Sequence, residues 1–260
     1  MRFMNIVGRL AFAAFLLSLV VGLVASFGTR FHLWGFQVGL LKIFPFCLYL
    51  GLAGLALGVI WAVSALFMNS GVAARYGVIG LVGSIAVLAL PMYNIYMIKV
   101  AHAIPSIHDI STDTEHPPLF VALLHNRPGA LNPPEYEGGQ TVKDDDGTPS
   151  TVTALQKKYY TDIRPVENLE TPAKLYNRAL NAANAMGWTI VSAAREPNGG
   201  RIEASDTTFF FGFTDDIVIR VEPSGMGARL DIRSKSRVGM SDLGKNASRI
   251  RAYVKKLANS

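Results

Sequence analysis

Three basic side chains alternate along a short stretch near the carboxyl-terminal end of the sequence, and their spacing suits them to bind an anion. One residue separates Arg233 from Lys235 and Lys235 from Arg237, so a β-strand would place all three on one face. Ser241 adds a hydroxyl group at the predicted start of a helix, where free N–H groups attract negative charge. Together with Arg220 on the preceding predicted strand, these residues predict a site for phosphate or an anionic lipid headgroup.

The same residues also have a purely structural explanation. Asp242 would cap the following helix, and the arginines would pair with Asp215, Asp216 and Asp231 inside the domain. Ion pairs of this kind satisfy the buried charges without binding anything from outside. The sequence leaves both interpretations open.

A second group of candidate residues combines histidines with carboxylates. Four of the five histidines fall between residues 102 and 125, in the same stretch as three carboxylates. Such groups ligate metals or act as general acids and bases, but their spacing does not match H-E-x-x-H or a comparable motif. Capping of turns and loops is the alternative role of the aspartates. The candidate catalytic residues are His108, Asp109, Asp113 and Glu115, and no metal or other cofactor is predicted.

Other sequence motifs for catalysis or nucleotide binding are incomplete. Gly239–Asn246, GMSDLGKN, resembles the phosphate-binding pattern G-x-x-x-x-G-K-[ST], but Asn246 replaces the residue that would hold Mg²⁺. The 14 residues after Asn246 are too few for the parallel strands of a nucleotide-binding fold. There is no G-x-S-x-G motif, and the single cysteine, Cys47, lies in an apolar run. Neither nucleotide binding nor nucleophilic catalysis is predicted.

The elements that must position the candidate residues divide the chain into two parts of different composition. All 19 acidic residues follow residue 100, whereas the first hundred residues carry six basic ones, which account for the net charge of +6. The neutral second part lacks the basic surface of a nucleic-acid-binding domain. We therefore predict a transmembrane region over 1–100 and an extracytoplasmic α+β domain over 101–260.

Three uncharged apolar runs, at about 10–27, 43–67 and 76–98, reach the ~18 residues that a membrane-spanning helix needs. Small residues spaced by four, Gly54 with Gly58 and Gly80 with Ser84, predict close packing between these helices. The first run is longer than the apolar core of a signal peptide, about 7–15 residues, and is expected to be retained.

The orientation of the spans depends on a nearly balanced distribution of positive charge. Three basic residues flank the spans on each side, so the positive-inside rule favours neither orientation, and the N-terminal amine tips the balance towards an inside N-terminus. Three spans then place the second part outside the cytoplasm. The chain is predicted to be a multi-pass protein of the inner membrane with a periplasmic domain.

Apolar periodicity in the second part predicts an antiparallel four-stranded meander with flanking helices. Thr171 and Pro172 begin a helix that ends at Gly187. A final helix at about 241–258 buries Ile250, Val254 and Leu257, and its arginines, including Arg249, are expected to face water. The four predicted strands are 188–194, 201–211, 216–222 and 228–234.

Several segments of this domain resemble domain-of-unknown-function family 1499. They are IHDISTDTEHPP (Ile107–Pro118), NPPEY (Asn132–Tyr136), YTDIRP (Tyr160–Pro165) and GFTDDIVIRV with DIRSKSRVGMSDLGKNASRIR, in order between Ile104 and Leu257. The resemblance implies association with the envelope in bacteria or targeting to an organelle in plants, and it implies no activity.

The expected function is that of a membrane protein whose extracytoplasmic domain binds an envelope partner or an anionic ligand without catalysis. The alternative is a metal-assisted or acid/base hydrolase that acts in the cell envelope. The expected partners are membrane lipids and an envelope protein, and no nucleic acid is expected.

Overall fold

The computed structural model divides the chain into two compact units. The first comprises Met1–Ile98 together with Phe209–Gly212, and the second comprises Lys99–Thr208 and Phe213–Ser260. The structure describes residues 2–67, 74–101, 104–225 and 227–259.

Three long helices make up most of the first unit. They are α1 (Arg2–Arg30), α2 (Phe44–Leu66) and α3 (Ala74–Ala101), and a π-helical segment, Gln37–Ile43, leads into α2. Each of the three helical stretches is long and apolar enough to cross a membrane. The apolar runs of the sequence therefore fold as the predicted helices.

Glycines allow these helices to approach one another closely, in agreement with the small-residue spacing of the sequence. A Cβ atom added at Gly58 would lie 2.9 Å from the Cα atom of Leu81, and one added at Gly80 would lie 2.6 Å from the backbone nitrogen of Phe12. Backbone atoms at these distances cannot move aside as a flexible side chain would. The close packing of the three helices therefore requires glycine at these contacts.

Substitution of Gly80 by leucine is expected to lower the stability of the helical unit by about 1–3 kcal/mol, because the added side chain forces α1 and α3 apart. The unfolding of the full chain in a maltoside detergent, followed by circular dichroism as dodecyl sulfate is added, measures this loss. Val82→Leu enlarges a side chain of the same helix that is 59% exposed and serves as the control. Equal midpoints for the two variants would contradict the proposed packing.

A six-stranded antiparallel sheet forms the centre of the second unit. Its four long strands form the predicted meander, and two three-residue strands join the sheet by pairing with the last long strand. The sequence predicted the four long strands but missed the two short ones. Three residues are too few to show the alternation that marks a strand. The strands of the sheet are β1 (Asp109–Ser111), β4 (Val166–Asn168), β5 (Thr189–Glu196), β6 (Gly199–Thr207), β7 (Thr214–Ser224) and β8 (Gly227–Ser236).

Among the described residues, a separate hairpin and three α-helices also belong to the second unit. Strands β2 (Thr141–Lys143) and β3 (Pro149–Thr151) pair with each other, and α4 (Val152–Tyr159) follows them. Helices α5 (Pro172–Ala185) and α6 (Lys245–Ala258) pack on one face of the six-stranded sheet. This unit is therefore an α+β fold, as predicted.

The main apolar core lies between that face of the sheet and helices α5 and α6. Ile217 and Ile219 of β7 are fully buried there, and the ring of Trp188 stacks on that of Tyr253 at 5.3 Å between centroids. The predicted inward positions of α6 agree with this core, since Ile250 is 1% exposed. Burial of these side chains is the main apolar contribution to the stability of the domain.

The opposite face of the sheet is covered by irregular chain rather than by helices. Val218, which alternates with the core residues of β7, packs against Phe120 and Leu123 of this chain. Leu123 belongs to a short 3₁₀ helix, Ala122–His125. Because both faces of the sheet are covered, the side chains on both faces are largely shielded from water. Most of the candidate residues lie on this second face.

Candidate functional site

The predicted alternation of β8 is present, but the cations that it places on the second face are not open to solvent. Leu230 and Ile232 join the apolar core on the helix side, so the intervening residues point to the other face. Arg233 and Lys235 are 0% exposed, and Arg237 is 8% exposed. Buried cations need partners, because desolvation of an unpaired charge is very costly.

Arg233 and Lys235 find those partners in one group, which we call the Asp109 cluster: His108, Asp109, Glu137, Arg233 and Lys235. Arg233 donates to both carboxylate oxygens of Asp109, at 2.8 Å each. The Nζ atom of Lys235 lies 2.7 Å from a carboxylate oxygen of Glu137 and 3.3 Å from Asp109. The Nε2 atom of His108 lies 3.3 Å from Glu137. Charges of opposite sign therefore balance inside the cluster.

Aromatic rings and backbone carbonyl groups complete the surroundings of the Arg233 guanidinium. It lies 4.8 Å from the ring centroid of Phe120 and 5.3 Å from that of Tyr136, which are favourable cation–π distances. It also donates to the carbonyl oxygens of Pro134 and Glu135, at 3.0 and 2.9 Å. Burial raises the pKa of the Tyr136 hydroxyl above its usual value. The NPPEY segment thus closes over the guanidinium.

Arg237 belongs to a second ion-pair group on the same face. It binds the fully buried carboxylate of Asp216 through two nitrogens, at 3.0 and 2.8 Å, and Arg127 approaches the same carboxylate at 2.7 Å. Asp216 is one of the carboxylates that the structural explanation named as a partner. Two guanidinium groups on one carboxylate leave the group with a net positive charge.

Arg220 lies in a third group, on the second face near the other end of β8. Its guanidinium is 3.0 Å from Asp231 and 3.3 Å from Asp113, and Arg229 binds the same two carboxylates at 2.8 and 2.7 Å. The two arginines balance the charges of the two aspartates, and the more exposed Glu222 lies 3.2 Å from Arg220. The side chains of both arginines remain partly exposed, at 23% and 31%.

Hydrogen bonds and charges keep Asp113 ionised in this group. Burial by itself would raise the pKa of Asp113, but the backbone N–H groups of His116 and Glu115 donate to its carboxylate, and Arg229 and Arg220 add positive charge. The pKa therefore lies below its usual value. This turn capping is the role that the sequence offered as the alternative to catalysis.

The four candidate catalytic residues lie at three separate places. His108 and Asp109 belong to the Asp109 cluster, and Asp113 binds Arg220 and Arg229. Glu115 lies at the surface, where its hydrogen bond with Lys157 lowers the pKa of its carboxyl group. His102, the first of the four histidines, lies outside the described residues. Within the part of the chain that the structure describes, no three His, Cys, Asp or Glu side chains are grouped as metal ligands would be.

In the segment before α6, which has the sequence GMSDLGKN, side chains accept hydrogen bonds from the backbone N–H groups. The hydroxyl oxygen of Ser241 accepts a hydrogen bond from the N–H group of Leu243 at 3.2 Å. The carboxylate of Asp242 accepts from the N–H groups of Gly244 and Asn246, at 2.8 Å each. The side chain thus occupies the N–H groups that a bound anion would use, and α6 begins at Lys245 rather than near Ser241.

Burial raises the pKa of Asp242 to about 6, against the donated hydrogen bonds that lower it. In the unfolded chain the carboxyl group ionises near pH 4. Between these values the folded protein binds more protons than the unfolded protein, so the free energy of unfolding falls as the pH rises. Above pH 6 the carboxyl group of Asp242 is ionised in the folded protein as well, and its contribution to the free energy of unfolding is lost.

We expect Asp242→Asn to remove this pH dependence. Between pH 4 and pH 7 the wild type should lose up to about 2 kcal/mol of its free energy of unfolding relative to the variant. Urea unfolding of the full chain in detergent at a series of pH values measures it. Parallel curves for the two proteins would count against a raised pKa.

Arg249 was expected to face water, and this prediction is wrong. The residue is 4% exposed, and its guanidinium lies 2.6 Å from Asp215 and 2.8 Å from Asp206. It also donates to Asn246, whose amide group donates in turn to the carbonyl oxygen of His108. Helical periodicity cannot distinguish an exposed arginine from one that meets carboxylates on a sheet, and this is why the sequence missed Arg249.

Two open clefts adjoin at the YTDIRP segment, which the site predictions did not include. The first has a volume of about 320 Å³ and is bounded by Thr112, Lys157 and Tyr160 among others. The second has a volume of about 290 Å³ and lies against α6. Ile163 and Arg164 line both clefts. The resemblance to a known family included this segment, but no spacing of charges identified it as a site.

A family model described as "Protein of unknown function (DUF1499)" matches residues 109–257, which is more than half of the chain. The match begins at β1 and ends in α6, so it spans the six-stranded sheet and the helices packed on it. No curated protein and no solved structure matches the chain.

Proposed function

We propose, on the premise that this chain belongs to the DUF1499 family of proteins of unknown function, that its folded domain binds an anionic ligand or an envelope partner without catalysis. The three apolar helices would hold the protein in the inner membrane, with the domain in the periplasm. Membrane lipids and an envelope protein are the expected partners.

The observation that carries this proposal is the internal pairing of the charged residues that were the candidates for catalysis. Asp109 binds Arg233 and Lys235, and Asp113 binds Arg220 and Arg229. A general acid or base must exchange a proton with a substrate, whereas each of these two carboxylates is already bound by two cationic side chains of the protein. This pairing favours a rigid scaffold for recognition over a reactive centre.

Anion binding at Arg233, Lys235, Arg237, Ser241 and Arg220 stays a prediction. An incoming anion would have to displace Asp109 from Arg233 or Asp216 from Arg237, both of which are buried. Exposed cations elsewhere on the domain can bind an anion without breaking such pairs, so the proposal does not depend on the buried positions.

Melting of the full chain in a maltoside detergent tests the ligand-binding part of the proposal. A ligand that binds the folded protein raises its melting temperature. We expect sodium phosphate, or phosphatidylglycerol added to the micelles, to raise the melting temperature above that in sodium chloride of equal ionic strength. If neither does, the anionic ligand is wrong and an envelope protein remains as the partner.

The orientation needs a separate experiment. A phosphatase reporter fused after Ser260 should be active, because the enzyme folds only outside the cytoplasm. A fluorescent protein that folds only in the cytoplasm, fused at the same position, should stay dark. The reverse pattern would place the domain in the cytoplasm.

The acid/base or metal-assisted hydrolase remains a second candidate because of one contact. His108 is 8% exposed and lies 3.3 Å from Glu137, which is the arrangement of an imidazole with an orienting carboxylate. Hydrolysis of phosphate and carboxylate esters by the purified chain, with metal analysis of the same sample, tests it. Activity that Glu137→Gln abolishes would favour the hydrolase over the binding function.

A further inference from the structure

We propose that Arg164 is the centre of a binding site for a small oxyanion, a phosphate or carboxylate group, at the two adjoining clefts. The inference rests on the proposed binding function and gives it a location and a ligand class. It concerns none of the residues that the sequence pattern nominated.

The clefts provide room for a ligand on both sides of the Arg164 side chain. Their volumes, about 320 and 290 Å³, are each near the lower limit of small-molecule sites. Ile163 is buried and forms part of the wall that they share. A ligand in either cleft would meet the exposed guanidinium of Arg164 without any change in the backbone.

Arg164 differs from most arginines of the domain in its partners. Among the described residues of the second unit, nine of the eleven arginines form ion pairs with carboxylates, and Arg164 and Arg195 do not. The Nε atom of Arg164 donates to the carbonyl oxygen of Thr161 at 2.8 Å. This bond fixes the side chain and uses one of its five N–H groups. The terminal nitrogens can therefore form the paired hydrogen bonds that guanidinium makes with phosphate and carboxylate.

The residues around Arg164 favour an anion over a neutral ligand. Lys157 lines the first cleft, Arg251 and Lys255 line the second, and Asp162, which lines the second cleft, is the acidic residue among the lining residues. Asp162 is itself bound by Arg251 at 2.6 Å, and Lys157 pairs with the exposed Glu115 at 2.8 Å. Pairs exposed to solvent are weak, so an anion can compete for these cations. Thr114 and Thr161 add hydroxyl groups that can donate to its oxygens.

Phosphorus NMR of inorganic phosphate, titrated with the full chain in a maltoside detergent, tests the site directly because the detergent contains no phosphorus. We expect the wild type to broaden the phosphate resonance. Arg164→Gln should weaken the binding about ten-fold or more, because it removes a charge-assisted pair of hydrogen bonds. Arg164→Lys keeps the charge and should retain part of the binding.

Arg195→Gln is the matched control, since Arg195 also lacks a carboxylate partner but lies on β5, where it stacks on Tyr176. The control should bind phosphate as the wild type does. Equal melting temperatures in the absence of phosphate will show that the variants are folded. Phosphatidylglycerol added to the micelles should compete with phosphate if the natural oxyanion is a lipid headgroup, and should have no effect if it is a free solute.

The outcomes separate this inference from the broader function. If Arg164→Gln binds phosphate as tightly as the wild type, the site is elsewhere, and the proposed anion binding survives. If the wild type binds neither phosphate nor phosphatidylglycerol, both the site and the anionic ligand are wrong.

Discussion

Substitution of Arg233 by methionine is expected to destabilise the domain by about 3–5 kcal/mol, the cost of leaving one partner of a buried ion pair uncompensated. Arg233 is fully buried and donates to both oxygens of Asp109, which is 1% exposed. Methionine fills part of the space between Phe120 and Tyr136 but cannot bind the carboxylate. Lys235, at 3.3 Å, can neutralise Asp109 only in part.

Pulse proteolysis of the full chain in urea, in maltoside detergent, measures this loss, because the protease cleaves the unfolded fraction. Arg251→Met is the control, since it removes an arginine–aspartate pair whose side chains are 44% and 55% exposed. Such a pair contributes about 0–1 kcal/mol. Similar losses for the two variants would show that the burial of the Asp109 cluster does not matter to stability.

Substitution of Glu203 by alanine is expected to cost about 3 kcal/mol, because it leaves three backbone N–H groups without their acceptor. Glu203 is 1% exposed, and its two carboxylate oxygens accept from Val121, Ala122 and Leu123 at 2.9–3.0 Å. These are the first N–H groups of the short 3₁₀ helix, which have no partner within the helix. Without these hydrogen bonds to Glu203, the chain that covers the second face of the sheet loses its attachment to β6.

The same proteolysis measurement tests this expectation. Glu203→Gln keeps one acceptor oxygen and should lie between alanine and the wild type. Glu196→Ala removes an exposed glutamate from the neighbouring strand and should change the free energy of unfolding by less than about 0.5 kcal/mol. Accelerated cleavage near residues 118–126 in Glu203→Ala would identify the segment that is released. An unchanged cleavage pattern would argue against the proposed attachment.

These two positions share a property that bears on function. Both hold irregular chain on the second face of the sheet through charged side chains rather than apolar ones. Hydrogen bonds between a charged side chain and backbone groups are strong and directional, so they favour one arrangement of the chain. The proposed binding function would benefit from such an arrangement, because a preorganised surface binds a ligand with little rearrangement.

The elements of the fold were largely determined by local sequence. Uncharged runs of spanning length gave the three long helices, and alternation gave β5, β6, β7 and β8, because each of these patterns is complete within its own segment. The same local alternation placed Arg233, Lys235 and Arg237 on one face. Strands β1 and β4 escaped detection because neither is long enough to carry a pattern.

The partners of the charged residues were decided by tertiary structure alone. Arg233 and Asp109 are 124 positions apart, and Arg249 and Asp215 are 34 apart, so no local spacing links them. Pairing depends on which segments the fold brings onto the second face of the sheet, and on the cost of leaving a buried charge alone once they are there. For the same reason the sequence nominated Arg233 as a binding residue, whereas the structure turned it inward and left Arg164 exposed between two clefts.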